Sequence, residues 1–290
     1  MDPSYLILAA GLAAIVLAQV NQRAGSPVLA IFTRWLRWLL FGFGAAFISI
    51  DFELINRPFW ALVVAFMLLW FLAETLYNWL GIQALSVSPL PLFPRYLVNQ
   101  SGEEWPTRPH LLKVREWLRA QGFKQVQALK AEIGGGYYLR VSVYQDPVAQ
   151  CRVHVTFLPQ PNGLVAVCYS LVSIATDGSR YVTDNFYIPF AGFYPENWFV
   201  ERLPWRRALP RLLAHHRRRT AHEVWAPFAT DPATDLNQQQ QELDQLNTRL
   251  GFLNPHGERE EFGKISQAGR YRVWKEIWML NYLGRSVRYQ

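Results

Sequence analysis

Only two cysteines, Cys151 and Cys168, occur in 290 residues, too few for a disulfide framework. Cysteine and histidine spacings of the zinc-finger kind are missing, as is the aromatic signature of an RNA-recognition sheet, so nucleic acid is not favoured as a partner. No Lys or Arg precedes Arg23. The basic n-region of a cleaved secretory signal is therefore lacking, and the first apolar run is expected to stay with the chain. No internal repeat is visible, and Gln238 to Gln241 is a short polar run rather than a low-complexity tract.

Apolar sequence, by contrast, is abundant at the N-terminal end. It forms three runs, Tyr5 to Val20, Trp38 to Ile50 and Phe59 to Tyr77. A bilayer-spanning helix takes about 20 mostly apolar residues. The third run meets this outright, and the first does so with its flanks. The second needs Phe52, Leu54 and Ile55 at one end, or Trp35 and Leu36 at the other. Three spans are expected, at residues 4–22, 36–55 and 58–79. Tyr5, Trp35, Trp38, Trp60, Tyr77 and Trp79 lie near the ends, at the level that aromatic rings prefer.

Arg23, Arg34 and Arg37 are assigned to the first connection, while Asp51, Glu53 and Arg57 lie in the second. Basic residues near span ends are retained on the cytoplasmic side. The expected location is a cell (inner) membrane, multi-pass, with the N-terminus outside and the C-terminal domain cytoplasmic. Both cysteines would then stay reduced. Glu74, three residues before Tyr77, is expected near the cytoplasmic end, where water or a loop arginine can meet it. Gly42, Gly44, Ala45 and Ala46 give the second run a small face suited to close helix packing.

The expected fold is membrane-anchored α+β, with three N-terminal transmembrane helices followed by a soluble domain holding a four-stranded antiparallel meander packed by helices. The corresponding division is 1–85 for the membrane region, 86–106 for a linker, 107–230 for the α+β domain and 231–290 for a C-terminal helical segment packed on it. Pro89, Pro91, Pro94, Pro106 and Pro109 mark the linker, because proline prevents a long helix. Thr107 is placed as the cap of a helix ending at Gly122, with Leu111, Val114 and Leu118 at helical spacing.

Beyond that helix the period changes to two. Tyr138 to Tyr144, Arg152 to Leu158, Leu164 to Val172 and Arg180 to Ile188 read as strands, separated by Asp146-Pro147, Asn162-Gly163 and Asp177-Gly178. Leu139, Val141 and Val143 alternate with polar residues, as do Val153, Val155 and Phe157. One sheet face is thus expected to be buried and the other wetter. Gly134-Gly135-Gly136 reads as a turn or bulge, since the strand before it and the Lys-bearing helix after it that a phosphate loop requires are both missing. His154 with Asp184 and Tyr144 is a possible acid and base group, conditional on the three meeting in space.

From Phe186 to Trp205 the chain is aromatic but interrupted by Pro189, Pro195 and Pro204. Phe190, Phe193, Tyr194, Trp198 and Phe199 are candidates for partner binding or membrane docking, against the alternative that they fill the core. Arg206, Arg207, Arg211, Arg217, Arg218 and Arg219 follow with no acid until Glu223, and form a candidate lipid- or anion-binding face. The whole formal excess of +7 lies after the apolar runs, since four acids offset four arginines before Leu85. His215, His216 and His222 do not make a metal site, lacking i, i+4 spacing and an identifiable third ligand. No cofactor is implied.

Asp235 is expected to cap a helix bearing Leu236, Leu243, Leu246 and Leu250 and closed by Gly251. A last helix, Gln267 to Leu283, carries Tyr271, Trp274, Trp278 and Tyr282 in one stripe and must dock. The leading functional expectation is a non-catalytic integral membrane protein. Its basic cytoplasmic α+β domain binds a membrane or cytoplasmic protein partner, or serves in a membrane assembly. Two alternatives stand beside it. One is a membrane-tethered enzyme with a site between the wetter sheet face and the aromatic loop, and the other is an anionic-lipid sensor using the arginine helix. Transport is disfavoured by the lack of a polar pathway through the spans.

Overall fold

A computed structural model of the chain describes residues 3–24, 26–102, 105–160, 163 and 165–286. The fold is α+β, with apolar N-terminal helices and a mixed sheet. It divides into two compact units, Met1–Ala84 with Arg270–Val287, and Leu85–Gly269 with Arg288–Gln290.

In the first unit, α1 (Pro3–Ala24) and α2 (Pro27–Asp51) are joined by a short turn, and α3 (Phe59–Val87) starts after Pro58. Arg34 and Arg37 therefore lie inside α2 and not in a connection. The reason is that Pro27 starts the helix, a first-turn position where proline's missing N–H costs nothing. Two helices, α2 and α3, are long and apolar enough to cross a membrane by length and composition. The relative standing of the runs changes accordingly, because α2 has 25 residues and the shorter apolar stretch is Ile7–Gln22 in α1.

The small face of α2 is used internally. Gly42, Gly44, Ala46 and Ser49 are buried, and a Cβ at Gly42 would come within 2.7 Å of the Met67 side chain of α3. Arg34 and Glu74 are 3.8 Å apart, and Tyr282 donates a hydrogen bond to the same carboxylate. Glu74 thus meets an arginine, but from the middle of α3, since that helix runs on to Val87.

The final helix, α8 (Gln267–Trp278), continues into a π turn, Met279–Leu283. From Arg270 onward it groups with the apolar helices, and not with the domain on which residues 231–290 are expected to pack. The aromatic stripe explains this. Trp278 and Tyr282 are stacked at 4.5 Å, Tyr282 lies edge-on to Trp35 at 5.2 Å, and Trp278 meets Phe71 at 5.0 Å.

In the second unit the strands are β1 (Arg95–Val98), β2 (Lys124–Gly134), β3 (Tyr137–Gln145), β4 (Arg152–Pro159), β5 (Val165–Ala175), β6 (Arg180–Asp184), β7 (Trp198–Arg202) and β8 (Trp225–Ala226). They form one eight-stranded sheet in the order β1 to β7, with β8 beside β5. The pairs are antiparallel except β6 with β7, which is parallel. The four-stranded meander is therefore the middle of a larger mixed sheet. The segment expected to be a linker supplies an edge strand, and the aromatic stretch supplies the other. Leu164 and Asn162 lie outside the described residues.

Helix α4 (Pro109–Ala120) and α5 (Leu209–Arg219) lie on one sheet face, and α6 (Pro232–Arg249) on the other. Arg108, not Thr107, occupies the cap position of α4, because Pro109 opens the helix. Asp231, not Asp235, caps α6, its carboxylate accepting from the Ala233 and Thr234 amides. A short turn of helix, α7 (Arg259–Phe262), precedes α8. The three glycines at 134–136 all have positive φ, and the ladder shifts between Glu132 and Gly134, as a bulged hairpin requires.

Both sheet faces are covered, which corrects the expectation of one wet face. Register is the cause. Val143 is paired with His154, and Val141 with Thr156, so the apolar row of β3 shares a face with the polar row of β4. Val153, Val155 and Phe157 instead join Tyr144, Tyr169, Leu171, Leu118 and Leu212 in the core under α4 and α5. Val141, Val143, Leu129, Ala233 and Leu236 form the smaller apolar cluster under α6.

Candidate functional site

The polar side of the sheet is built in rows. His154 of β4 lies opposite Ser170 of β5, which lies opposite Asp184 of β6, which in turn lies beside Arg202 of β7. The next row is Arg152, Val172, Val182 and Val200. Above these rows, α6 contributes Leu236, Gln239 and Leu243, and the aromatic stretch contributes Phe186, Tyr194 and Trp198. Together they line a partly open cavity of about 140 Å³.

His154 is 6 % exposed and Gln239 is 7 % exposed, and the Nε2 atom of each is buried without a hydrogen-bond partner. Buried polar atoms are nearly always satisfied, so two orphans in one cavity lining call for an explanation. Burial lowers the His154 pKa to about 4, with help from Arg152 and Arg180 and against the pull of Asp235. The ring is neutral at pH 7.

The acid and base group considered from the sequence is not assembled. Tyr144 is on the opposite sheet face, packed edge-on to Trp105. His154 and Asp184 lie two strands apart, roughly 10 Å at typical strand spacing. Asp184 is instead held by Arg202 at 3.0 Å and by the Phe186 amide at 3.1 Å. A histidine with so low a pKa is a poor general base near neutrality.

Flanking the cavity, Asp235 is buried between Arg152 at 3.3 Å and Arg180 at 2.7 Å. Arg152 also donates to the Thr230 carbonyl and lies over the Phe228 ring at 4.0 Å. This cluster fastens α6 to β4 and β6. A second tether is Asn247, fully buried, whose amide bonds both backbone groups of Phe193. Gly192 is required there, since a Cβ would come within 2.7 Å of the Asn247 oxygen. Neither tether stood out in the sequence, because an Asp in a first helical turn and an Asn in a polar helix have ordinary surface roles.

The aromatic candidates mostly stack on one another. Phe190 meets Tyr194 at 4.8 Å, Tyr194 meets Trp198 at 6.3 Å, and Phe199 stacks on Tyr181 at 4.8 Å. Tyr194 and Trp198 face the cavity, Phe193 is held by Asn247, and Phe199 remains 37 % exposed. The stretch is a cavity wall more than a platform.

The arginines are divided too. Arg219 is turned inward, donating to the Val182 and Phe199 carbonyls and lying 3.5 Å from Glu201. Arg206 is half-buried, while Arg207, Arg211, Arg217 and Arg218 are exposed. On α5 the buried residues are Leu209, Leu212, Leu213 and His216, so Arg211, Arg217 and Arg218 occupy the outward face. His216 is buried between Ser173 at 3.1 Å and Thr183 at 2.9 Å. Burial and the neighbouring cations push its pKa down to about 3. With both ring nitrogens occupied, this Ser, His and Thr array ties α5 to β5 and β6. Cys151 and Cys168 are free thiols, each raised to about 12 by burial. Among the described residues, no group of three or more His, Cys, Asp or Glu is placed to hold a metal ion.

Comparison with known proteins finds no matching family model, no matching curated protein and no matching solved structure.

Proposed function

We propose that this chain is a non-catalytic integral membrane protein whose basic α+β domain binds an acidic protein partner within a membrane assembly. The observation that carries the reading is the outward face of α5, where Arg211, Arg217 and Arg218 are exposed together while its other face is core. The helix LPRLLAHHRRR contains no acid to offset these cations, which leaves the outer face of α5 wholly basic.

The anchor rests on exposure. Only 17 % of the apolar window of α2 and 11 % of that of α3 is buried, so neither resembles the core helix of a soluble protein, and lipid supplies the missing apolar surroundings. With α1 counted as a third crossing, the N-terminus is outside. Arg34 and Arg37 then mark the cytoplasmic end of α2, and the domain is cytoplasmic. The anionic leaflet is the second reading of the same arginine face, favoured by the placement of the entire +7 excess after the apolar runs. Catalysis at the cavity is disfavoured by the separation of His154 from Asp184.

Mild-detergent extraction of the full-length protein at low and high salt tests the reading. Co-purifying chains should be retained at low salt, released at high salt, and lost when Arg211, Arg217 and Arg218 are all changed to Gln. Undiminished retention in that variant overturns the proposal. If no protein is retained, but the full-length chain in nanodiscs gathers on acidic vesicles in an arginine-dependent way, the lipid reading replaces it.

A further inference from the structure

We propose that the cavity between the sheet and α6 binds one small uncharged hydroxyl-bearing aromatic molecule, of the phenol class, with its hydroxyl on His154 and Gln239 and its ring against Tyr194 and Trp198. The site lies on the opposite sheet face from α5, and the inference does not depend on what α5 binds.

Four observations fix the class. First comes size: about 140 Å³ is close to the roughly 150 Å³ cavity that accommodates a single benzene ring. Second is the lining, in which Val172, Val182, Leu236 and Leu243 accompany the two aromatic rings, the apolar wall with few polar groups that small-molecule sites present.

Third is the pair of orphaned atoms. A neutral imidazole presents one nitrogen as acceptor, and a primary amide nitrogen only donates. One hydroxyl satisfies both, its proton going to His154 Nε2 and its oxygen accepting from Gln239 Nε2. Fourth is charge. Both carboxylates are taken up by arginines, Asp184 by Arg202 and Asp235 by Arg152 and Arg180 together. His154 is uncharged at neutral pH because burial and these cations oppose its protonation. A cationic ligand would find no free carboxylate to compensate its desolvation.

The test uses the full-length protein in nanodiscs, with 4-fluorophenol and its hydroxyl-free analogue fluorobenzene followed by fluorine NMR, and empty discs as the blank. A saturable site of one 4-fluorophenol per chain is expected, with fluorobenzene at least about 10-fold weaker, the value of one net hydrogen bond. Gln239→Leu should weaken 4-fluorophenol about 10-fold and leave fluorobenzene unchanged. Val172→Phe, which fills the cavity, should abolish both.

Absence of a saturable site above the blank overturns the proposal and leaves the cavity to water. Undiminished binding in Val172→Phe moves the site elsewhere and overturns it too. Equal affinity for the two probes in the unaltered protein refutes the hydroxyl assignment, even if the variants fail to fold.

Discussion

The two faces of the sheet are made by the same strands, yet they differ in kind. Under α4 and α5, Tyr144, Phe157, Leu171 and Leu212 belong to one apolar cluster, and the buried imidazole of His216 has a partner on each nitrogen. Under α6, the sheet carries Arg152, His154, Thr156 and Ser170, Asp235 of the helix is ion-paired to it, and a partly open cavity is lined by two residues with orphaned nitrogens. The closed face stabilises the domain through buried apolar area. The open face has less of that apolar burial, a cavity and an ion cluster taking its place.

Acid should test both faces at once, and with the largest effect. His154 and His216 have folded pKa values near 4 and 3, below the unfolded value of about 6.5. The unfolded chain therefore binds more protons, so stability is complete above about pH 6.5 and is lost as the pH falls toward the folded values. Each histidine contributes a slope of up to about 1.4 kcal/mol per pH unit in that window. Denaturant unfolding of the detergent-solubilised protein between pH 7 and 4 should show this, and His154→Leu should halve the slope. An unchanged slope would mean that the two faces are not equally dry.

Next in size is the ion cluster on the open face. Asp235→Ala should cost about 3–5 kcal/mol, because it leaves the buried Arg152 and Arg180 without their carboxylate. Replacement of Asp235 by Asn should recover part of that loss, since an amide can still accept a hydrogen bond. A loss below 1 kcal/mol in the Ala variant would show that water already reaches the cluster.

The smallest effect makes the sharpest comparison. Val153 on the closed face and Val172 on the open one are each 0–2 % exposed, and each can be enlarged by one methylene. Val153→Ile should destabilise by about 1–3 kcal/mol through overpacking, while Val172→Ile should be neutral or slightly stabilising, because the cavity receives the added group. Equal melting temperatures for the two variants would remove the distinction between the faces.

Much of the fold was legible in the sequence where a local pattern coincides with a local structure. The apolar runs, the strands from Tyr138 to Asp184, the glycine hairpin at 134–136 and the helix closed by Gly251 are of this kind. Strand β2 was hidden because the ladder shifts between Gln125 and Gln127, which breaks the alternation that reveals a strand. Strand β1, in the proline-rich stretch, is only four residues long, and its outward groups at Tyr96 are satisfied by the Asn237 side chain. Nothing local signals a partner 141 residues away.

The site was half legible. His154, Asp184 and the aromatic stretch were picked out as chemistry-bearing residues, and the structure brings parts of all three to one cavity. In the sequence Gln239 is one residue of a polar run, and only the register puts Tyr144 under α4, away from His154. By itself the sequence determined the apolar helices, the strand-rich middle and the basic excess, since composition and periodicity report which surfaces avoid water. Tertiary structure alone decided which face each strand gives to which helix, because a register shift of one residue exchanges the two faces without altering the pattern along either strand.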